Sequence, residues 1–297
     1  MSKRVTAPAL LVALVLAATP TWAGTPIDEM ADAHPQGEVE ISNVSGKIQV
    51  RGWDREQVKV TGTLGEGSKR LVFDTDGRRT LVKVEVPHNA RHVGSSDLVV
   101  SVPMGSRETV AGVSADIDVR GVRGALRIQS VSGEIVAEVF AEDVEAKTVS
   151  GDFEIRGHGE PALLTLTTVS GDGRVENIRG ELVVQSVTGS LDIESSDLER
   201  ARLRTTNGDI DLRAGLAEGA RFDMEAINGD LRLDILGGVN AEFDIETFNG
   251  SINNSFGPEA ERTSKYAPGR ELRFTHGDGD ARIRIKTLNG GITLRGG

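Results

Sequence analysis

Val149-Ser150-Gly151-Asp152-Phe153-Glu154-Ile155 is one copy of a phrase that the chain repeats. It recurs as Val131-Ser132-Gly133-Glu134, Val169-Ser170-Gly171-Asp172 and Val187-Thr188-Gly189-Ser190. Further on it becomes Thr206-Asn207-Gly208-Asp209, Ile227-Asn228-Gly229-Asp230, Phe248-Asn249-Gly250-Ser251 and Leu288-Asn289-Gly290-Gly291. From Gly133 to Gly250 the glycines stand 18 to 21 residues apart, and the step to Gly290 is 40. A constant period near 20 residues implies a solenoid, because one such unit buries its apolar face only against its neighbours.

Residues on either side of the glycine alternate, as in Leu164-Thr165-Leu166 and Asp209-Ile210-Asp211-Leu212. Period two marks strands with one face buried and one wet. A small residue stands three places before each glycine, for example Thr148, Ser186 and Thr205. Thr148 and Val149 are both expected to point inward, so parity breaks there. The glycine then supplies a left-handed corner. The expected fold is all-β: a single-stranded β-solenoid (β-helix) of about 18–21 residues per turn, with irregular β caps at both ends. Gly46, Gly133, Gly151, Gly171, Gly189, Gly208, Gly229, Gly250 and Gly290 are the corners. With the degenerate Val113-Ser114-Ala115-Asp116 they imply nine to ten turns, a rod of about 45 Å at strand spacing.

The residue before the glycine is Ser or Thr in the first half of the repeat, then Asn207, Asn228, Asn249 and Asn289. Stacked about 4.8 Å apart, these amides are placed to hydrogen-bond along the axis. The competing reading is a polar binding stripe.

Residues 1–23 have the form of a secretory signal peptide: Lys3 and Arg4, an apolar stretch from Leu10 to Ala18, and Thr21-Trp22-Ala23 as cleavage site. The apolar run is too short for a membrane span. The chain is therefore expected to be exported, to the periplasm or the cell exterior, with no transmembrane span in the mature chain. No cysteine is present, so export brings no disulfide. The net charge of −11 opposes nucleic-acid binding and docking on anionic lipid. Residues 24–36 are expected as a linker, 37–110 as an N-terminal β cap region and 111–252 as solenoid repeats. Residues 253–297 would form a loop and a capping hairpin with the last repeat. That hairpin would join Glu271–Phe274 to Ala281–Ile285 across the turn at 276–280.

The exported repeat of Ser/Asn-Gly-Asp-apolar-x-apolar resembles the bacterial "putative adhesin" family of unknown function, related to the head GIN domain proteins. The opening Val44-Ser45-Gly46-Lys47-Ile48-Gln49-Val50-Arg51-Gly52-Trp53-Asp54 resembles that family's start. The resemblance covers about residues 38–297. It implies a solenoid with an adhesin-like surface role and brings no catalytic residues.

Candidate chemistry is sparse. Asp116, Glu134, Asp152, Asp172, Asp209 and Asp230 follow the corners in a column that a divalent cation could screen, or they are turn residues held by backbone N–H groups. His276, Asp278 and Asp280 offer donors at a turn that is equally an ordinary tip. Gly157-His158-Gly159 and Arg284-Ile285-Lys286 match two short motifs of galacturonases. They stand 126 residues apart, and no upstream carboxylate pair accompanies them. A non-enzyme without cofactor is expected, binding a cell-envelope or surface glycan or protein. Arg156, Arg174, Arg179, Arg202 and Arg204 are candidates to hold acidic glycans by bidentate hydrogen bonds. The loop 253–270 is a further candidate for specificity. Two alternatives stand beside this reading: a self-assembling solenoid of bactofilin-like architecture, and a polysaccharide lyase or hydrolase.

Valine in place of Gly151 or Gly208 is expected to destabilise the chain by about 1–3 kcal/mol. An unchanged melting curve for both variants would remove the corner assignment.

Overall fold

A computed structural model describes residues 24–87, 93–264 and 268–296. The leader at 1–23 lies outside the described residues, as do His88, His92 and Tyr266. Seven strands come first: β1 (Thr25–Asp32), β2 (Glu38–Trp53), β3 (Gln57–Leu64), β4 (Arg70–Thr75), β5 (Arg79–Glu85), β6 (Ser96–Pro103) and β7 (Arg107–Arg120). The regular repeat continues through β8 (Leu126–Ser132), β9 (Ile135–Val139), β10 (Val144–Ser150), β11 (Phe153–Gly157), β12 (Pro161–Ser170), β13 (Gly173–Glu176) and β14 (Arg179–Thr188). Next come β15 (Leu191–Asn207), β16 (Ile210–Asn228), β17 (Leu231–Leu236), β18 (Ala241–Asn249) and β19 (Ile252–Asn254). The chain closes with β20 (Glu261–Arg262), β21 (Arg270–His276), β22 (Ala281–Asn289) and β23 (Ile292–Gly296).

The turns stack in parallel through one extended stretch before the corner and one after it; β2 and β7 run through their corners, and β15 and β16 each run from one corner to the next. The result is the expected all-β solenoid. Before the corner the stack runs β5, β2, β7, β8, β10, β12, β14, β15, β16, β22, β18. After the corner it runs β6, β2, β7, β9, β11, β13, β15, β16, β17, β23, β19. Alternate residues of both sheets meet in a narrow core, which buries Leu182, Leu203, Phe222 and Met224 before the corner and Ile193, Leu212 and Leu233 after it. Burying each such side chain contributes about 1.5–3 kcal/mol.

Stacking order departs from chain order at both ends. The last turn, β22–β23, does not cap the rod; it is seated between β16–β17 and β18–β19. At the other end β2 lies between β5–β6 and β7. The expected hairpin between 271–274 and 281–285 therefore does not form. Both segments are strands, but β18 lies between them, with β21 antiparallel on one side and β22 parallel on the other. The segment between them crosses the start of β18, where Gly279 N–H donates to Asn240 Oδ1 at 2.8 Å and Ala281 N–H to Asn240 O at 3.0 Å.

Two N-terminal readings change as well. Residues 25–32, expected within a linker, form β1 and pair antiparallel with β3 from Thr25↔Leu64 to Asp32↔Gln57. Their alternation is obscured because only Ile27 faces the core. The segment from Glu38 is already a full turn, with Gly46 in register with Ala115 of β7. Antiparallel strands then cover the outermost turns: β3 on β6, β4 on β5 and β21 on β18.

Among the described residues one ionisable group lies wholly inside. Glu108 is fully buried, with Ser106 Oγ 2.6 Å from its Oε1 and no partner for its Oε2. Burial disfavours the charged carboxylate and pushes its pKa up to about 8, and the Ser106 hydrogen bond only partly offsets this. The folded chain thus holds a proton that the unfolded chain releases near 4.5. The stability linked to that proton is fully present below about pH 4.5 and is lost as pH rises through about 8. Glu108→Gln is expected to flatten this slope, raising the melting temperature at pH 8 relative to the parent far more than at pH 5. Parallel melting-temperature curves for the two proteins from pH 4 to 9 would contradict it.

Candidate binding face

The corner sets the geometry of everything around it. A Cβ on any of the nine corner glycines would run into a backbone carbonyl oxygen of the adjacent turn. That oxygen belongs to Gly133 for Gly151, Gly189 for Gly208 and Gly229 for Gly290. The expected left-handed corner is only part of the reason for glycine. Gly208 has φ +158° and Gly133 +133°, whereas Gly151 and Gly250 lack a positive φ and still have no room for a side chain. Close stacking of backbone on backbone is the constraint common to all nine.

Hydrogen bonds run up this corner from Gly151 to Gly290. The N–H of Gly208 donates to Asn228 O at 2.9 Å and that of Gly229 to Asn289 O at 2.9 Å. The next residue's N–H would be left over, and the carboxylate column takes it. Asp172 N–H donates to Asp152 Oδ1 at 2.8 Å, Ser190 N–H to Asp172 Oδ1 at 2.7 Å, and Asp230 N–H to Asp209 Oδ1 at 2.8 Å. Glu134 N–H reaches Asp116 Oδ1 at 3.1 Å in the same way. These groups satisfy backbone donors that would otherwise be orphaned. Among the described residues no three of His, Cys, Asp and Glu come together as a metal site. Of the turn candidates, Asp280 Oδ2 accepts from Gly219 N–H at 2.7 Å, His276 meets the Phe256 ring edge-on, and Asp278 is exposed.

The asparagines form one ladder in stacking order. Asn228 Nδ2 donates to Asn207 Oδ1 at 2.8 Å, Asn289 to Asn228 at 2.8 Å, and Asn249 to Asn289 at 2.9 Å.

Four of the five candidate arginines already hold a carboxylate of a neighbouring turn. Arg156 pairs with Glu176 at 3.0 Å, Arg174 with Asp192 at 3.2 Å, Arg179 with Asp197 at 2.9 Å and Arg204 with Glu225 at 3.1 Å. Arg202 has no ion pair among the described residues. His158 stacks on Phe140 at 4.3 Å, several turns from Arg284, so the two galacturonase-like tripeptides do not meet.

The residue two places before the glycine differs from expectation. Thr148 is buried, but Val149 points outward, because alternation continues one residue further and the break falls between Val149 and Ser150. In stacking order Val113, Val131, Val149, Val169, Val187, Thr206, Ile227, Leu288 and Phe248 form a continuous ridge. Its eight apolar members are each 44–48% exposed. The exposed apolar area is on the order of 600 Å², the upper end for the largest patch on a monomer. Beside the ridge lies a groove of about 700 Å³, bordered by Gln185, Arg204, Glu225, Lys286 and Glu246. The recurring apolar residue at a fixed offset was the available signal. Its hydrophobicity points inward, but strand alternation, which runs one residue further than expected, turns it out.

The Toastrack DUF4097 family model matches residues 36–295. No curated protein matches. Among solved structures, a "putative lipid binding protein" from Parabacteroides distasonis is 12% identical, over 91% of this chain and 97% of that one, with a TM-score of 0.48. A "putative adhesin" from Bacteroides fragilis is 10% identical over the same shares, with a TM-score of 0.44. A "putative cell adhesion protein" from Clostridium sporogenes is 8% identical, over 92% of this chain and all of that one, with a TM-score of 0.23.

Asn228→Ala removes both amide bonds in mid-ladder and is expected to cost about 1–2 kcal/mol. Asn249→Ala removes the single bond at the ladder's end and should cost about half as much. Equal denaturant midpoints for the two variants and the parent would show that the ladder adds nothing.

Proposed function

The chain belongs to the Toastrack DUF4097 family, and we propose that it is an exported, non-catalytic binding scaffold of the cell envelope. The observation that carries this reading is the apolar ridge. Eight exposed apolar side chains in one line, beside a groove, form a surface whose contact with water a partner would relieve. The ladders behind it hold the line straight, so a partner meets a surface already in shape and little ordering cost is due on binding. The partner is an envelope or surface glycan or protein.

Polar groups support a non-catalytic role, since the corner carboxylates accept backbone N–H bonds and the arginines mostly neutralise acidic neighbours. Antiparallel strands over the outermost turns favour a single binding rod over end-to-end assembly, because they replace a repeat-like edge with a different one.

The test is co-sedimentation of the purified chain with fractions of its host's envelope. Saturable binding to one fraction is expected, with Val169→Ser plus Val187→Ser weakening it by on the order of tenfold. Stability should change little at these outward positions, by roughly 0.5 kcal/mol each. Undiminished binding by the double variant would overturn the ridge as the working surface.

A further inference from the structure

The same sheet face carries a run of arginine that the fold assembles from three parts of the chain. Eight residues before the corner, successive turns present Glu181, Arg200, Arg221, Arg282 and Glu242 in register. The outer arginines are held: Arg200 by Glu181 at 2.5 Å and Arg282 by Glu242 at 3.3 Å. Arg221, between them, has no carboxylate partner among the described residues. Two places along the strand Arg202 is also unpaired, while Arg284 is held by Asp244 at 3.3 Å.

Like charges directly opposite on adjacent strands destabilise a sheet. Two columns nearer the ridge this chain avoids that, since Arg204, Glu225, Lys286 and Glu246 alternate in sign, with pairs at 3.1 and 2.7 Å. A column selected only for stability would place an acid at 221. Asp223 stands in register between Arg202 and Arg284 but forms an ion pair with neither, and its Oδ1 is buried without a hydrogen bond. The arginines line an open depression of about 1000 Å³.

We propose that Arg202 and Arg221, flanked by Arg200 and Arg282, bind an acidic polysaccharide with its successive anionic groups laid along the stack. Three guanidinium groups at strand spacing cover about 10 Å, which suits repeated charges on a polymer better than one small anion. Each guanidinium can take a carboxylate, sulfate or phosphate by two parallel hydrogen bonds. A broad anionic membrane would face the net charge of −11, whereas a thin polymer meets only the local patch within a screening length of about 8 Å. The inference rests on this face being a binding surface, though not on the ridge.

The test is calorimetric titration of the full chain with oligogalacturonate, with neutral dextran oligomers, and with vesicles of phosphatidylglycerol and phosphatidylcholine. Oligogalacturonate is expected to bind with an affinity that falls as salt rises, and dextran and vesicles are not. Arg202→Gln plus Arg221→Gln should weaken binding by roughly tenfold or more. Arg156→Gln plus Arg174→Gln, on the sheet after the corner, should leave it unchanged. Arg221→Glu should abolish binding and raise the melting temperature, which separates a lost site from a lost fold. Absence of oligogalacturonate binding, full binding by Arg221→Glu, or binding to vesicles alone would each overturn the proposal. Such a failure with ridge-dependent envelope binding intact would leave the proposed function standing. Intact oligogalacturonate binding without ridge-dependent envelope binding would do the reverse.

Discussion

At every corner backbone lies directly on backbone, where the glycine meets a carbonyl oxygen of the adjacent turn. With no space for a single methyl group, turns stack tightly at the corner, and the other columns follow from that. The position three residues earlier must be small, because it lies inside the same bend; Thr247 Oγ1 donates to Gly290 O there at 2.9 Å. At the position after the glycine, Asp152, Asp172 and Asp209 accept an adjacent turn's N–H that has no ladder partner. The position two residues before still obeys strand alternation and faces outward, which is how an apolar column becomes surface. Steric exclusion at one atom per turn thus sets the spacing of the polar ladders, beside a ridge that alternation turns outward.

Much of this was legible from spacing alone. Glycines at Gly151, Gly171, Gly189 and Gly208 with alternation on both sides specify strand, corner and period, and Asn207 and Asn228 at equal offsets specify a ladder. What escaped was information that local pattern does not contain. A 40-residue step to Gly290 states that a turn is interrupted; it does not state which neighbour the next turn will choose. The segments 271–274 and 281–285 look like a hairpin because a short polar turn joins them, and only β18 between them shows otherwise. Val149 reads as inward because apolar residues are most often buried.

The arginine run illustrates the same limit at the candidate site. Arg221 and Arg282 are 61 residues apart and become neighbours only because the last turn slots beside β16. Arg202 is legible as an exposed strand residue, but the reason to single it out, that it forms no ion pair even with Asp223 in register beside it, depends on which side chains the stacking places above and below. The other arginine candidates carried the same sequence signal and turned out to be ordinary surface ion pairs, worth little individually in water.

The seating of β2 and β22–β23 one turn inside the rod bears on how such a molecule can change its size. In a simple stack, turns can be added to or lost from either tip, each loss exposing a surface like the one before. Here the tips are closed circuits: removing the last turn would leave a gap between β16–β17 and β18–β19, and removing the first would part β5–β6 from β7. Duplication or loss of a unit is tolerated only between β8 and β16, where each turn stacks on its neighbours in sequence. Chain-length variation among rods of this design therefore belongs to their middle, while both ends descend intact.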